Sequence, residues 1–249
     1  MKKQLIFAIL LSTLVFLPSC EKDPVEAEPG KLRIVVSMSD GTQSVSQDEN
    51  ISFSNGQDLN ISLFRLYLSN LTLMEGEREL EIKNLVLVDP GSNSNNSFTM
   101  TVENGNYSTL SFGLGVNATQ NNLNPADFDN NHPLSTYQSM YWSMLKYRFA
   151  KFEGKANLNG KLGSSDDVSV AFHPGTDPLY QQVSLPISLN ISEDNTYTLN
   201  IEIDLNEMFA GSNPFDLTDE TQTQTHSNST DIHIAQKFME NLKASISVK

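Results

Sequence analysis

Apolar residues recur at every second position through most of this chain. That spacing dictates extended strands with one buried face, because successive side chains of a strand point to opposite sides. The clearest run is Tyr197, Leu199, Ile201, Ile203 and Leu205, alternating with Thr198, Asn200, Glu202 and Asp204. Similar runs cover Leu32–Met38, Asp58–Leu73, Leu80–Val88, Ser97–Val102, Tyr107–Leu114, Phe149–Leu158, Val168–Phe172 and Val183–Ile191. Between them stand turn formers such as Glu75-Gly76, Pro90-Gly91-Ser92-Asn93, Asn104-Gly105-Asn106 and Glu193-Asp194-Asn195,. These nine strands predict an all-β fold, a single immunoglobulin-like β-sandwich,. One exception follows Ser229 or Thr230 as N-cap. There Ile232, Ala235, Phe238, Met239 and Leu242 recur at helical spacing and predict a short C-terminal helix,. The Asn-rich stretch from Val116 to Asn131 reads as a long loop.

The chain opens with Lys2 and Lys3, continues through an apolar run from Leu5 to Leu17 and reaches Leu17-Pro18-Ser19-Cys20. The run is shorter than the roughly 20 residues a spanning helix needs, and acids rather than more apolar chain follow it. It reads as a signal peptide over residues 1–19. A leucine three residues before a cysteine, with a small serine just before it, resembles the lipobox of bacterial lipoproteins. Cys20 is therefore the expected lipidation site and first mature residue, and the protein is expected in the bacterial cell envelope. The anchor would hold it to the outer membrane, on the periplasmic face or at the cell surface. Residues 20–30 hold Pro24, Pro29 and several acids and read as a tether. Residues 31–249 form the one domain. Cys20 is the only cysteine, so no disulfide and no thiolate metal cluster can form within the chain,.

With 16 basic and 30 acidic residues the formal net charge is −14. Such a surface repels nucleic-acid phosphates and anionic lipid head groups. No GxSxG elbow, phosphate-binding glycine loop or HExxH helix is present, and no DxDxDG calcium loop either. The chain reads as a binding protein, not an enzyme.

The most distinctive segment runs His132-Pro133-Leu134, Met140-Tyr141-Trp142, Tyr147-Arg148-Phe149 and Phe152-Glu153-Gly154. It resembles the MbnP-like family of methanobactin-associated copper-binding proteins, periplasmic and surface β-sandwich proteins linked to copper acquisition. Other landmarks follow in the family's order. They are Asn60–Leu73, Leu85–Pro90, Tyr107–Val116, His173-Pro174-Gly175 and Ile201–Phe209. The family generally carries a second aromatic two positions after the motif tryptophan and a glycine before the motif tyrosine; Met144 and Lys146 stand there instead. The resemblance implies copper bound through histidines and a tryptophan oxidised to kynurenine, with a di-haem peroxidase as the modifying partner. Trp142 is the only tryptophan, so the modification would fall on it.

Imidazole and thioether ligands suit copper, and four histidines are available: His132, His173, His226 and His233,. None are spaced as a zinc finger or a metal-binding helix, so a site must be assembled from distant segments. His132 and His173 both precede prolines, which biases them to extended backbone from which their rings could converge at one rim of the sandwich. His226 follows as third ligand, with Trp142 as an oxidisable member and Met140 and Met144 as soft ligands. His233 falls on the polar face of the expected helix and is left out. Each histidine and methionine also has a plain structural role open to it, as surface or core residue. The alternative function is a metal-free sandwich module that binds a glycan or a protein.

Overall fold

The structure is a computed structural model that describes residues 28–193 and 195–249. The expected signal segment, Cys20 and most of the tether lie outside the described residues. Two sheets of five and eight strands face each other, and a separate two-stranded hairpin brings the total to fifteen strands among the described residues. The strands are β1 (Gly30–Ser39), β2 (Ser44–Val45), β3 (Asn50–Ser52), β4 (Asp58–Glu75), β5 (Arg78–Val88), β6 (Ser97–Val102) and β7 (Gly105–Leu114). After the helix α1 (Ala118–Asn121) come β8 (Tyr141–Trp142), β9 (Lys146–Tyr147), β10 (Ala150–Asn157), β11 (Asp167–Phe172), β12 (Gln181–Ile191) and β13 (Thr196–Asp204). The helix α2 (Leu205–Ala210), β14 (Gln224–Thr225), α3 (Ile232–Ala244) and β15 (Ile246–Val248) close the chain.

The smaller sheet runs β15-β13-β1-β2, with β6 also paired to β1. Its centre is a parallel pair in which Ile34 faces Leu199, Val36 faces Ile201 and Met38 faces Ile203. Those residues are the period-2 apolar positions, and all are buried,. The larger sheet runs β12-β7-β4-β10-β11-β14, with β3 and β5 also on β4. The all-β sandwich expected from the alternation is what forms, and each of the nine expected runs is a strand. The additional strands β2, β3, β8, β9, β14 and β15 are two or three residues long. Runs that short cannot show a period.

The core is aromatic where the larger sheet meets the helices. Phe152 of β10 packs on Phe209 of α2 at 5.2 Å between ring centroids, and Phe172 of β11 stacks on Phe238 of α3 at 5.0 Å. Burying each such ring contributes about 1.5–3 kcal/mol. The C-terminal helix is present, but its N-cap position is Asp231 rather than Ser229 or Thr230, and that side chain makes no cap hydrogen bond. Its carboxylate is turned back into the preceding loop. The chain then returns to the smaller sheet as β15. Within the Asn-rich stretch from Val116 to Asn131, Asn117 and Gln120 form a reciprocal capping box that starts α1, a helix where a loop is expected,. Four helical residues are too few to register as a pattern. No helix of the described residues is long and apolar enough to cross a membrane.

Candidate functional site

Strand register assembles the site. β11 and β14 pair in parallel with Phe172 beside Thr225, so the next residues, His173 and His226, emerge side by side. Their rings meet edge to face, 5.1 Å apart at 90°. On the other side of β11, Phe152 is paired with Phe172, which puts Lys151 opposite His173 one residue further on. Because side chains alternate, Phe152, Phe172 and Thr225 enter the core while Lys151, Glu153, His173 and His226 share the other face,.

Glu153 reaches His173 diagonally across the regular β10–β11 pairing, in which it faces Ala171 on the same side of the sheet,. The pairing of β10 with β4 shifts register between Glu153 and Gly154, and a Cβ on Gly154 would lie 2.0 Å from the Asn60 carbonyl oxygen. Only glycine fits there. Glu153 Oε1 lies 2.9 Å from His173 Nε2 and 3.1 Å from Lys151 Nζ. His173 is buried, with 9% of its surface exposed. Burial, then the nearby Arg148 charge, draws its pKa down from 6.5 to about 4, with His226 adding to the shift against the opposing pull of Glu153. His173 is thus neutral at physiological pH, and the contact is a hydrogen bond donated by Nε2–H to a carboxylate. Nδ1 then carries the lone pair. Burial works to raise the Glu153 pKa, but Lys151 and His173 prevail and hold it below the usual carboxylate range.

His226 is fixed by Asp231. That carboxylate accepts hydrogen bonds from the His226 N–H at 3.0 Å, the Asn228 N–H at 2.9 Å and the Thr225 hydroxyl at 3.0 Å. Ser227, in left-handed backbone at φ 57°, donates its hydroxyl to the His173 carbonyl and accepts the Gly175 N–H. The two histidine segments are therefore laced together directly.

Trp142 arrives on the β8–β9 hairpin, in which Tyr141 pairs with Tyr147 and Trp142 with Lys146. Its indole lies edge to face with His226, 5.8 Å away. The hairpin is anchored by Tyr147, fully buried, whose hydroxyl donates to the Leu134 carbonyl at 2.9 Å and whose pKa burial pushes up to about 12. From there the Phe149 N–H donates to the Pro174 carbonyl, and Arg148 bridges Gly175.

The expected residues separate into two groups. His173, His226 and Trp142 come together. His132 lies elsewhere: its ring stacks on Phe128 at 4.1 Å, and its Nδ1 accepts the Leu134 N–H. It lines a cavity of about 490 Å³ running along β5 with Lys83–Val88, Ser97 and Phe98. The extended backbone expected before Pro133 gives way to a turn, in which the His132 N–H donates to Asp129, its carbonyl accepts from Ser135 and its ring nitrogen is consumed by Leu134. Met140 is wholly buried in the core, and Met144 is 76% exposed at the hairpin turn. His233 is exposed on α3, as expected. Among the described residues no group of three His, Cys, Asp or Glu side chains is placed to hold a metal ion. The arrangement supplies two imidazoles and an indole instead. Sequence reasoning assigned no role to Glu153, Arg148 or Asp231. The Phe152-Glu153-Gly154 motif was the available signal for the first.

The sequence profile of the MbnP family matches residues 29–232, which span the histidine pair, Trp142 and every strand but β15. The chain belongs to the MbnP family. The solved structure of MbnP from Methylosinus trichosporium matches with a TM-score of 0.52 and 16% identity, over 78% of this chain and 80% of the other. At that identity the likeness shows a shared fold. The comparison with curated proteins gives no match. The shared fold is the β-sandwich expected from the alternation.

Proposed function

We propose that the protein binds a single copper ion, as Cu(I), between His173 and His226, and serves copper handling in the cell envelope. The observation that carries the reading is the paired imidazoles, one of them neutral and oriented by a carboxylate. A ligating histidine whose other ring nitrogen donates to a carboxylate has its tautomer and ring direction fixed before metal arrives. The donor set fits the ion: neutral imidazoles suit copper, and a closed-shell soft cation accepts few ligands. Trp142 covers His226 and is the residue on which oxidation to kynurenine would fall. A di-haem peroxidase would be the partner for that step. The lipobox-like segment ending at Cys20 supports a lipid-anchored protein at the outer membrane.

The test is titration of the purified protein with Cu(I) against a chromophoric competitor. One equivalent bound by the wild type, and lost in both His173→Ala and His226→Ala, is the expected outcome. Stoichiometric binding untouched by either change would sink the site. Intact mass of protein from its native host, grown with the peroxidase, reads the state of Trp142. A second reading follows from the cavity along β5, whose volume suits an organic ligand such as a short glycan,. Copper binding no tighter than that of an unrelated acidic protein would favour it.

A further inference from the structure

Arg148 stands beside the histidine pair without a partner. Its backbone bridges Gly175, two residues after His173, and its charge acts on both His173 and Glu153. Yet among the described residues its guanidinium makes no ion pair and no hydrogen bond, and its Nε is sealed from solvent without an acceptor. The one carboxylate within its influence, Glu153, is already shared between Lys151 and His173.

Asp231, the other carboxylate at the pair, is taken up by the loop that carries His226. Among the described residues no carboxylate is left for Arg148. A copper cation would add positive charge beside a partly buried guanidinium that has no partner, and unpaired charge there is costly. An anion arriving from outside pairs the guanidinium. A guanidinium presents parallel N–H groups that match the two oxygens of a carboxylate. A dianion such as phosphate would in addition face Glu153. We propose that Arg148 seats the carboxylate of a small exogenous ligand beside His173 and His226, and that copper binds here more tightly when that carboxylate is present. The first half stands on the arginine alone, and the second rests on the copper reading above.

The probe is formate, titrated into the metal-free protein at constant ionic strength with perchlorate as the balancing anion. Imidazole and indole NMR signals of His173, His226 and Trp142 are the readout. We expect a saturable shift in the wild type, its loss in Arg148→Gln and weaker saturation in Arg148→Lys, which keeps the charge without the fork and serves if the first variant fails to fold. No saturable shift in the wild type, or equal saturation in Arg148→Gln, overturns the anion site. Cu(I) affinity measured in formate and in perchlorate should differ by about fivefold or more in the wild type and not in Arg148→Gln. An unchanged affinity overturns the joint binding. A protein that takes up formate through Arg148 but no copper leaves the anion site standing and removes the copper reading.

Discussion

His173 Nε2 and Glu153 Oε1 lie 2.9 Å apart, although 20 residues separate them in sequence and neither is adjacent to the other in strand register. The regular pairing of β10 with β11 sets Lys151 opposite His173 and Glu153 opposite Ala171, which makes Glu153 and His173 diagonal neighbours on one face,. Its consequence is a histidine whose free lone pair sits on Nδ1. Glu153→Gln preserves the shape and an acceptor but removes the charge. Cu(I) affinity is expected to fall about tenfold to a hundredfold with the fold intact. Competition titration alongside circular dichroism checks it, and an unchanged affinity would detach Glu153 from the site.

The depressed pKa of His173 sets a pH dependence of stability for the metal-free protein. The folded state holds this ring neutral down to about pH 4, whereas the unfolded chain protonates it at its ordinary 6.5. Between those values the unfolded state binds more protons, so stability is fully present above pH 6.5 and falls as pH drops towards 4. Discounted for partial solvent access, the loss is on the order of 2 kcal/mol. Urea midpoints measured from pH 7.5 to 4 should show this slope in the wild type and a shallower one in His173→Gln. Equal slopes would mean that another group carries the dependence.

Asp231 offers a test that leaves both histidines untouched. Its carboxylate gathers three segments of the loop that carries His226, with charge-assisted hydrogen bonds to Thr225, the His226 N–H and Asn228. Asp231→Ala is expected to cost about 2–4 kcal/mol of stability. It should also weaken Cu(I) binding, because His226 loses its fixed backbone. Chemical denaturation and metal competition on one preparation measure both. A loss under about 0.5 kcal/mol, within the range of plain surface substitutions, would show that Ser227 alone holds the loop.

What the sequence made legible follows from length and period. The strand from Thr196 to Asp204 shows four apolar residues in alternation, enough to fix its face and even its burial. β14 is only Gln224–Thr225 and was invisible, yet it brings His226 to His173. His132 carried as strong a local signal as His173, since both precede proline. The difference arises in three dimensions, where Leu134 folds back to donate to the His132 ring. Glu153 was one acid among thirty, and only the pairing of β10 with β11 singles it out, by making it the diagonal neighbour of His173. Charge and motif could not distinguish these cases, because strand register between remote segments decides them.

The two methionines near Trp142 give the sharpest contrast between spacing and placement. Met140 and Met144 are four residues apart and both offer a thioether, but Met140 is completely buried and Met144 is 76% exposed. Met140 accepts the Arg148 N–H at its carbonyl and sits in the core under the hairpin. Truncating it to alanine removes packed atoms and leaves a cavity, at a cost of about 2–5 kcal/mol. Met144→Ala removes little that is packed and should change stability by no more than about 0.5 kcal/mol. Neither thioether belongs to the histidine pair, so Met144→Ala should leave the Cu(I) dissociation constant unchanged. Thermal unfolding and competitor titration of the two variants decide the matter. A Cu(I) affinity that drops with Met144→Ala at unchanged stability would make the exposed thioether a third ligand and would require the hairpin turn to fold over His226 when metal binds.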